Sequence, residues 1–277
     1  MGLRVNTNVQ SLAAQRNLST TSLAQKGSLE KLASGTRIVR SADDAAGLAI
    51  SEKMRAQIRS IRQDTRNAND GISMIQTAEG GMNEIGNILV RFRELSIQAA
   101  SDTIGDTERG FIDKEVQQLR GEIDRISQST EFNGLKLLAG ESAKLEIQIG
   151  QGNSPEQDRF GFDLADSNVS ADRLGVTSLS VKDKESAQSN LTVVDDAINK
   201  LSSSRANLGA MQNRLQSVVN NLAVYDENLS SARSRIYDID MASETAEMAK
   251  NNILTQAGTS VLSQANQNPM LALKLMG

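Results

Sequence analysis

The 277-residue chain has no cysteine, no histidine and no tryptophan, and only 3% of it is aromatic. Without thiolate or imidazole there are no soft metal ligands, no Ser/His or Cys/His nucleophile pair and no disulfide framework. Most enzyme mechanisms lose their usual parts at once. A compact globule of this length fills its core with large rings, so the apolar surface here must be buried another way, as by long helices packed along their lengths. The formal net charge is −4, and the 30 Lys and Arg are interspersed with the 34 Asp and Glu. That pattern offers no electrostatic footprint for nucleic acid or an anionic membrane. No continuous apolar stretch is long enough to insert in a bilayer. The opening residues Met1 to Gln10 carry no basic flank and apolar run of the secretory kind, so export would need a dedicated route.

What is present is heptad spacing. Met54, Ile58, Ile61, Thr65, Ala68, Ile72 and Ile75 alternate steps of four and three, and after a slip at Ala78 the pattern resumes through Met82, Ile85, Leu89 and Phe92. A second run, Met211, Leu215, Val218, Leu222, Tyr225, Leu229, Ala232, Ile236 and Ile239, keeps the spacing without a break. A shorter one at Ile112, Val116, Leu119, Ile123 and Ile126 supplies a third helix. The seam positions expected to pack are Ile58, Ile61, Ile72, Ile75, Leu89, Leu215, Val218, Leu222, Leu229 and Ile236.

Between residues 131 and 189 the helical period disappears. Leu145-Glu-Ile-Gln-Ile149, Arg159-Phe-Gly-Phe-Asp-Leu164 and Val176-Thr-Ser-Leu-Ser-Val181 alternate and predict strands, with Asn133-Gly134 as a turn. The fold class is therefore mainly α: an elongated antiparallel helical, coiled-coil bundle with a small β-hairpin region at one end and paired N- and C-terminal helices. Three regions are expected: 1–45 with 245–277, 46–130 with 190–244, and 131–189. The terminal segments carry small apolar residues among Ala, Ser, Asn and Gln, and neither could bury enough surface alone to offset its ordering entropy.

Candidate chemical sites fail on context. Gly150-Gln-Gly152 lacks a third glycine, and Gly80-Gly81 falls inside a helical pattern, where close approach of a neighbour explains it. Asp43-Asp44, Asp195-Asp196 and Asp238/Asp240 read as helix-start charges rather than as acid–base pairs. No catalytic, metal or cofactor residue is assigned.

The segment Leu32-Ala-Ser-Gly-Thr-Arg-Ile-Val-Arg-Ser-Ala-Asp-Asp-Ala-Ala-Gly-Leu-Ala-Ile-Ser51 resembles the N-terminal signature of bacterial flagellins. Asn67-Ala-Asn-Asp-Gly-Ile-Ser73, Arg91-Phe-Arg-Glu-Leu95 and Thr130-Glu-Phe-Asn-Gly134 follow in the family's order. Asn228-Leu-Ser-Ser-Ala-Arg-Ser-Arg-Ile236 and Ser260-Val-Leu-Ser-Gln-Ala-Asn-Gln267 resemble its C-terminal half. The likeness covers about residues 3–140 and 190–276, with a short middle where larger members insert outer domains.

The resemblance implies a structural subunit that polymerises with itself into the flagellar filament for swimming motility. It implies burial of Val5, Val9, Leu12, Leu18, Val261, Leu262 and Leu271 between subunits. It also implies an extracellular location, type III export with no cleaved signal peptide, an export chaperone on the C-terminal segment, and contact with filament cap and hook-associated proteins. Arg91, Leu95 and Glu115 match positions by which many family members engage an innate immune receptor. The alternatives are a hook–filament junction protein or a cytoplasmic coiled-coil adaptor.

Overall fold

A computed structural model describes residues 7–140 and 144–274, with side chains as far as Gln267. The described residues form six helices and four short strands: α1 (Val9–Ser34), α2 (Ala45–Ala99), α3 (Asp106–Ser129), β1 (Glu131–Phe132), β2 (Leu135–Lys136), β3 (Lys144–Gln148), β4 (Arg159–Asp163), α4 (Ala171–Leu174), α5 (Lys184–Tyr237) and α6 (Met241–Lys274). The fold class is mainly α, as the heptads predict. The chain divides into two compact units, one of residues up to Ile58 with those from Asn228 on, the other Arg59–Glu227. These divisions fall within α2 and α5.

In the first unit, the side chain of Asn8 caps α1 by accepting from Ser11 N at 3.0 Å. Gly35 ends the helix in the left-handed conformation, φ +69°, its N–H bonded to Lys31 O. The chain then crosses the end of α5. Arg37 N donates to Tyr237 O at 2.8 Å, Ile239 N donates to Gly35 O at 3.2 Å, and the Arg37 guanidinium holds Ile236 O at 2.7 Å. Two carboxylates build the entry to α2. Asp43 Oδ2 accepts from Val39 N and Arg40 N, and Asp44 Oδ1 accepts from Gly47 N at 2.7 Å. Asp240 does the same for α6, accepting from Ala242 N at 3.0 Å.

In the second unit one core runs between α2, α3, α5 and the segment 130–183. On α5 the buried residues Ala187, Val194, Leu201, Leu208 and Leu215 recur every seventh position, so the seam starts well before Met211. On α2 Ala68, Ile75, Ala78, Met82, Ile85, Leu89, Phe92 and Leu95 are buried in the same core, and Ile61 is buried as well. Exposed ion pairs, Arg93–Asp195 at 2.7 Å and Arg62–Asp226 at 3.1 Å, line the same packing at its margin. Gly81 permits close approach: a Cβ there would stand 2.7 Å from both Leu138 Cδ1 and Thr130 Oγ1.

The middle segment is less β-rich than its alternation predicts. Two antiparallel two-stranded ribbons form, β1–β2 around Asn133-Gly134, both at positive φ as a tight hairpin turn needs, and β3–β4 in the register Ile147 to Phe160. The expected strand at Val176–Val181 is absent. Val176, Leu179 and Val181 are buried, but the backbone around them bonds to side chains of α3 instead of a ladder. Asp113 Oδ1 accepts from Val181 N at 3.0 Å, Gln117 donates to Leu179 O at 2.9 Å and Arg120 donates to Thr177 O at 2.7 Å.

Candidate polymerisation surface

Helices α1 and α6 pack antiparallel, and the described residues fully buried between them are small or polar. Their buried residues are Ser11 and Ser28 on α1, with Asn251 and Ala265 on α6. Asn8 Nδ2 donates to Ala265 O at 2.8 Å, Ser11 Oγ to Asn266 Oδ1 at 2.7 Å, and Gln25 bonds Asn252. Near the middle Leu18 lies over Gly258, where a Cβ would stand 3.2 Å from Leu18 Cδ1. Such an interface buries little hydrocarbon, so it contributes little free energy of its own.

Several large apolar residues of both helices face outward. Val9 is 67% exposed, Leu12 58% and Val261 56%, with Leu23, Leu29, Ile253 and Leu254 also exposed. Val9, Leu12 and Leu23 fall within about 60° of one another around α1 at about 100° per residue. Leu18 and Leu262 are half-buried within the pair. Val5 and the side chain of Leu271 lie outside the described residues. Exposed Leu29 and Ile50 were not picked out by the sequence, since neither continues a periodic run.

The seam residues are placed differently. Ile58, Ile61, Ile75, Leu89 and Leu215 are buried, whereas Ile72, Val218, Leu222, Leu229 and Ile236 are half-buried. Arg91 pairs with Glu115 of α3 at 2.9 Å and with Glu94 at 3.0 Å. Hydrogen bonding to Glu115 and then Glu94 holds the Arg91 guanidinium above its ordinary value. Leu95 is not beside them at the surface. It is 1% exposed, because the α2 seam continues from Phe92 to Leu95 and Ala99. Among the described residues no three acidic side chains gather as a metal site, and no helix is long and apolar enough to cross a membrane.

Residues 5–143 match the bacterial flagellin N-terminal helical region and residues 191–276 match the bacterial flagellin C-terminal helical region. The chain belongs to the bacterial flagellin family. It is 43% identical to a flagellin of Halalkalibacterium halodurans over 98% of this chain and 99% of that one, and 44% identical to a flagellin of Bacillus subtilis over 99% and 100%. A flagellar filament 33 kDa core protein of Treponema phagedenis is 41% identical over 98% and 99%.

Among solved structures, the Bacillus cereus flagellin superposes with a TM-score of 0.51 at 32% identity, covering 57% of this chain and 88% of that one. A structure assigned to a flagellar hook-associated protein of Vibrio parahaemolyticus gives a TM-score of 0.58 over 71% of this chain and 100% of that one, but at 12% identity, which shows a shared fold alone. This flagellin is accordingly a structural subunit of the flagellar filament, and neither a junction protein nor an adaptor is favoured.

Proposed function

We propose that polymerisation of this flagellin runs through the outward faces of the α1–α6 pair. Val5, Val9, Leu12, Leu18, Val261, Leu262 and Leu271 then become buried between copies, while 46–130 and 190–244 form a surrounding layer and 131–189 its thin outer edge. One observation supports this reading: among the described residues the helices bury small side chains between them and leave Val9, Leu12 and Val261 to solvent, an apolar face suited to covering by other copies. A head-to-tail contact that does not close on itself yields an open helical polymer, so one repeated surface is sufficient.

The same apolar residues of α6, Ile253, Leu254 and Val261, are what an export chaperone on about residues 245–277 would shield before assembly. The subunit would leave the cell by the flagellar type III apparatus without losing a signal peptide, and meet cap and hook-associated proteins at the filament's ends. A receptor contact at Arg91, Leu95 and Glu115 would fall to the exposed Arg91 and Glu115, since Leu95 is buried. Purified chain seeded with short filaments should elongate them in electron micrographs, and a chain truncated after Glu244 should neither elongate nor bind the chaperone. Elongation by the truncated chain at the full-length rate would refute the proposal.

A further inference from the structure

The face of α2 that carries Ile61 and Ala68 into the core has an aspartate between them. Asp64 is 5% exposed, while Thr65, the residue the heptad count places in the seam, is half-buried. Asp64 Oδ2 is out of reach of solvent and has no hydrogen-bond partner. Buried carboxylates are ordinarily hydrogen-bonded or paired, so this one needs an explanation.

Its neighbours on the helix show what closes over it. Asn67 Nδ2 donates to Gln148 O at 2.9 Å, fastening the end of β3 to α2. One turn further, a Cβ on Gly71 would stand 2.6 Å from Ile147 Cδ1 and 3.3 Å from Leu215 Cδ1, so the β3–β4 ribbon and α5 both reach this face. The turn between β3 and β4 folds back so tightly that a Cβ on Gly150 would meet Asp158 Oδ1 at 2.3 Å, and one on Gly152 would meet Oδ2 at 2.4 Å.

Several charged groups of these elements have partners of their own. Arg62 of α2 pairs with Asp226 of α5, Arg214 of α5 lies over the Phe160 ring at 5.1 Å, and Glu146 and Arg159 of the ribbon pair at 2.9 Å. Among the described residues no basic side chain forms an ion pair with Asp64 or Asp158. Burial, and after it the nearby Asp158 carboxylate, push the Asp64 carboxyl above the ordinary aspartate value.

We propose that Asp64 is a proton-binding site that latches the β3–β4 ribbon onto α2, so that the ribbon docks more tightly as the pH falls. The proton comes from solvent and adds to the Asp64 carboxylate, with no other bond made or broken. The neutral acid loses its repulsion toward Asp158 and gains an O–H donor. A divalent cation is a poorer occupant, since it takes about six or more oxygens and the described residues assemble no cluster of three acidic side chains.

The sign follows from linkage. A carboxyl whose folded-state pKa is raised binds its proton more tightly folded than unfolded, so stability grows as pH falls through the folded value toward the unfolded one, about 3.9. Because the chain has no histidine, few groups besides the N-terminal amine ordinarily titrate between about pH 5 and 8.

Thermal unfolding of the full chain from pH 8 to pH 4, for the parent, Asp64→Asn and Asp158→Asn, tests the latch. The parent's Tm should rise as pH falls. Asp64→Asn should abolish that rise and melt above the parent at pH 8, and Asp158→Asn should keep the rise but shift it to lower pH. A parental rise retained in Asp64→Asn would overturn the proposal, as would Asp64→Asn melting below the parent at pH 8. So would stabilisation of the parent at pH 8 by calcium or magnesium that Asp64→Asn loses, since the occupant would then be a metal ion.

Discussion

Truncating Leu12 to alanine tests the polymerisation surface with a magnitude that the geometry supplies. The substitution removes three carbons, worth about 2.4 kcal/mol at about 0.8 kcal/mol each when fully buried. In the single chain 58% of Leu12 is still exposed, leaving about 1.4 kcal/mol to be gained on assembly. A loss of that size raises the critical concentration for filament growth about tenfold. Val261→Ala removes two carbons from a residue 56% exposed, about 0.9 kcal/mol by the same reckoning, and raises it about fivefold. If the sites are independent, the double variant shifts it about 50-fold. The assay is sedimentation of seeded filaments over a dilution series, with the far-ultraviolet circular dichroism of each monomer as the check on folding. An unchanged critical concentration in the double variant would show that these side chains stay exposed in the filament, and the surface proposed here would be wrong.

Two further outcomes separate surface from core and one carboxylate from another. Leu95→Ala should destabilise the chain by about 2–5 kcal/mol as a large-to-small core change, whereas Arg91→Ala, which loses exposed ion pairs, should cost no more than about 1 kcal/mol. Thermal melts distinguish them, and an Arg91→Ala monomer that still signals as its parent does would remove the receptor reading. Asp43 behaves oppositely to Asp64: the backbone N–H groups of Arg40 and then Val39 hold its carboxyl below the ordinary value. Its contribution is therefore present above the unfolded value and disappears as pH falls through the folded one, below about pH 4. Asp43→Asn should flatten the acid side of the Tm profile, and an unaltered profile there would contradict the capping role.

The helices were legible because a seven-residue repeat of apolar side chains has one structural solution. The seam on α5 was legible only from Met211, since Ala187, Asn190 and Ala197 are too small or too polar to register as a stripe, though the sevenfold recurrence through Val194, Leu201 and Leu208 was there to be counted. Leu95 is the converse case: the family resemblance offered it as a surface contact with Arg91 and Glu115, while a step of three from Phe92 placed it in the core. Alternation misled at Val176–Val181 because Asp113, Gln117 and Arg120 satisfy that backbone from a helix some 60 residues away, a pairing no local pattern carries. Which face of α1 and α6 would remain uncovered was likewise hidden. Both helices mix small, polar and apolar residues all round, and only their mutual packing sorts them.

Helices that meet through serine, asparagine and alanine could slide past one another by a turn at little cost. The backbone bonds joining Gly35 to Ile239 and Arg37 to Tyr237 forbid it, acting as a zero mark from which the offset of α1 against α6 is measured. The offset is thus written into the backbone of the single chain and does not depend on contact with a neighbour.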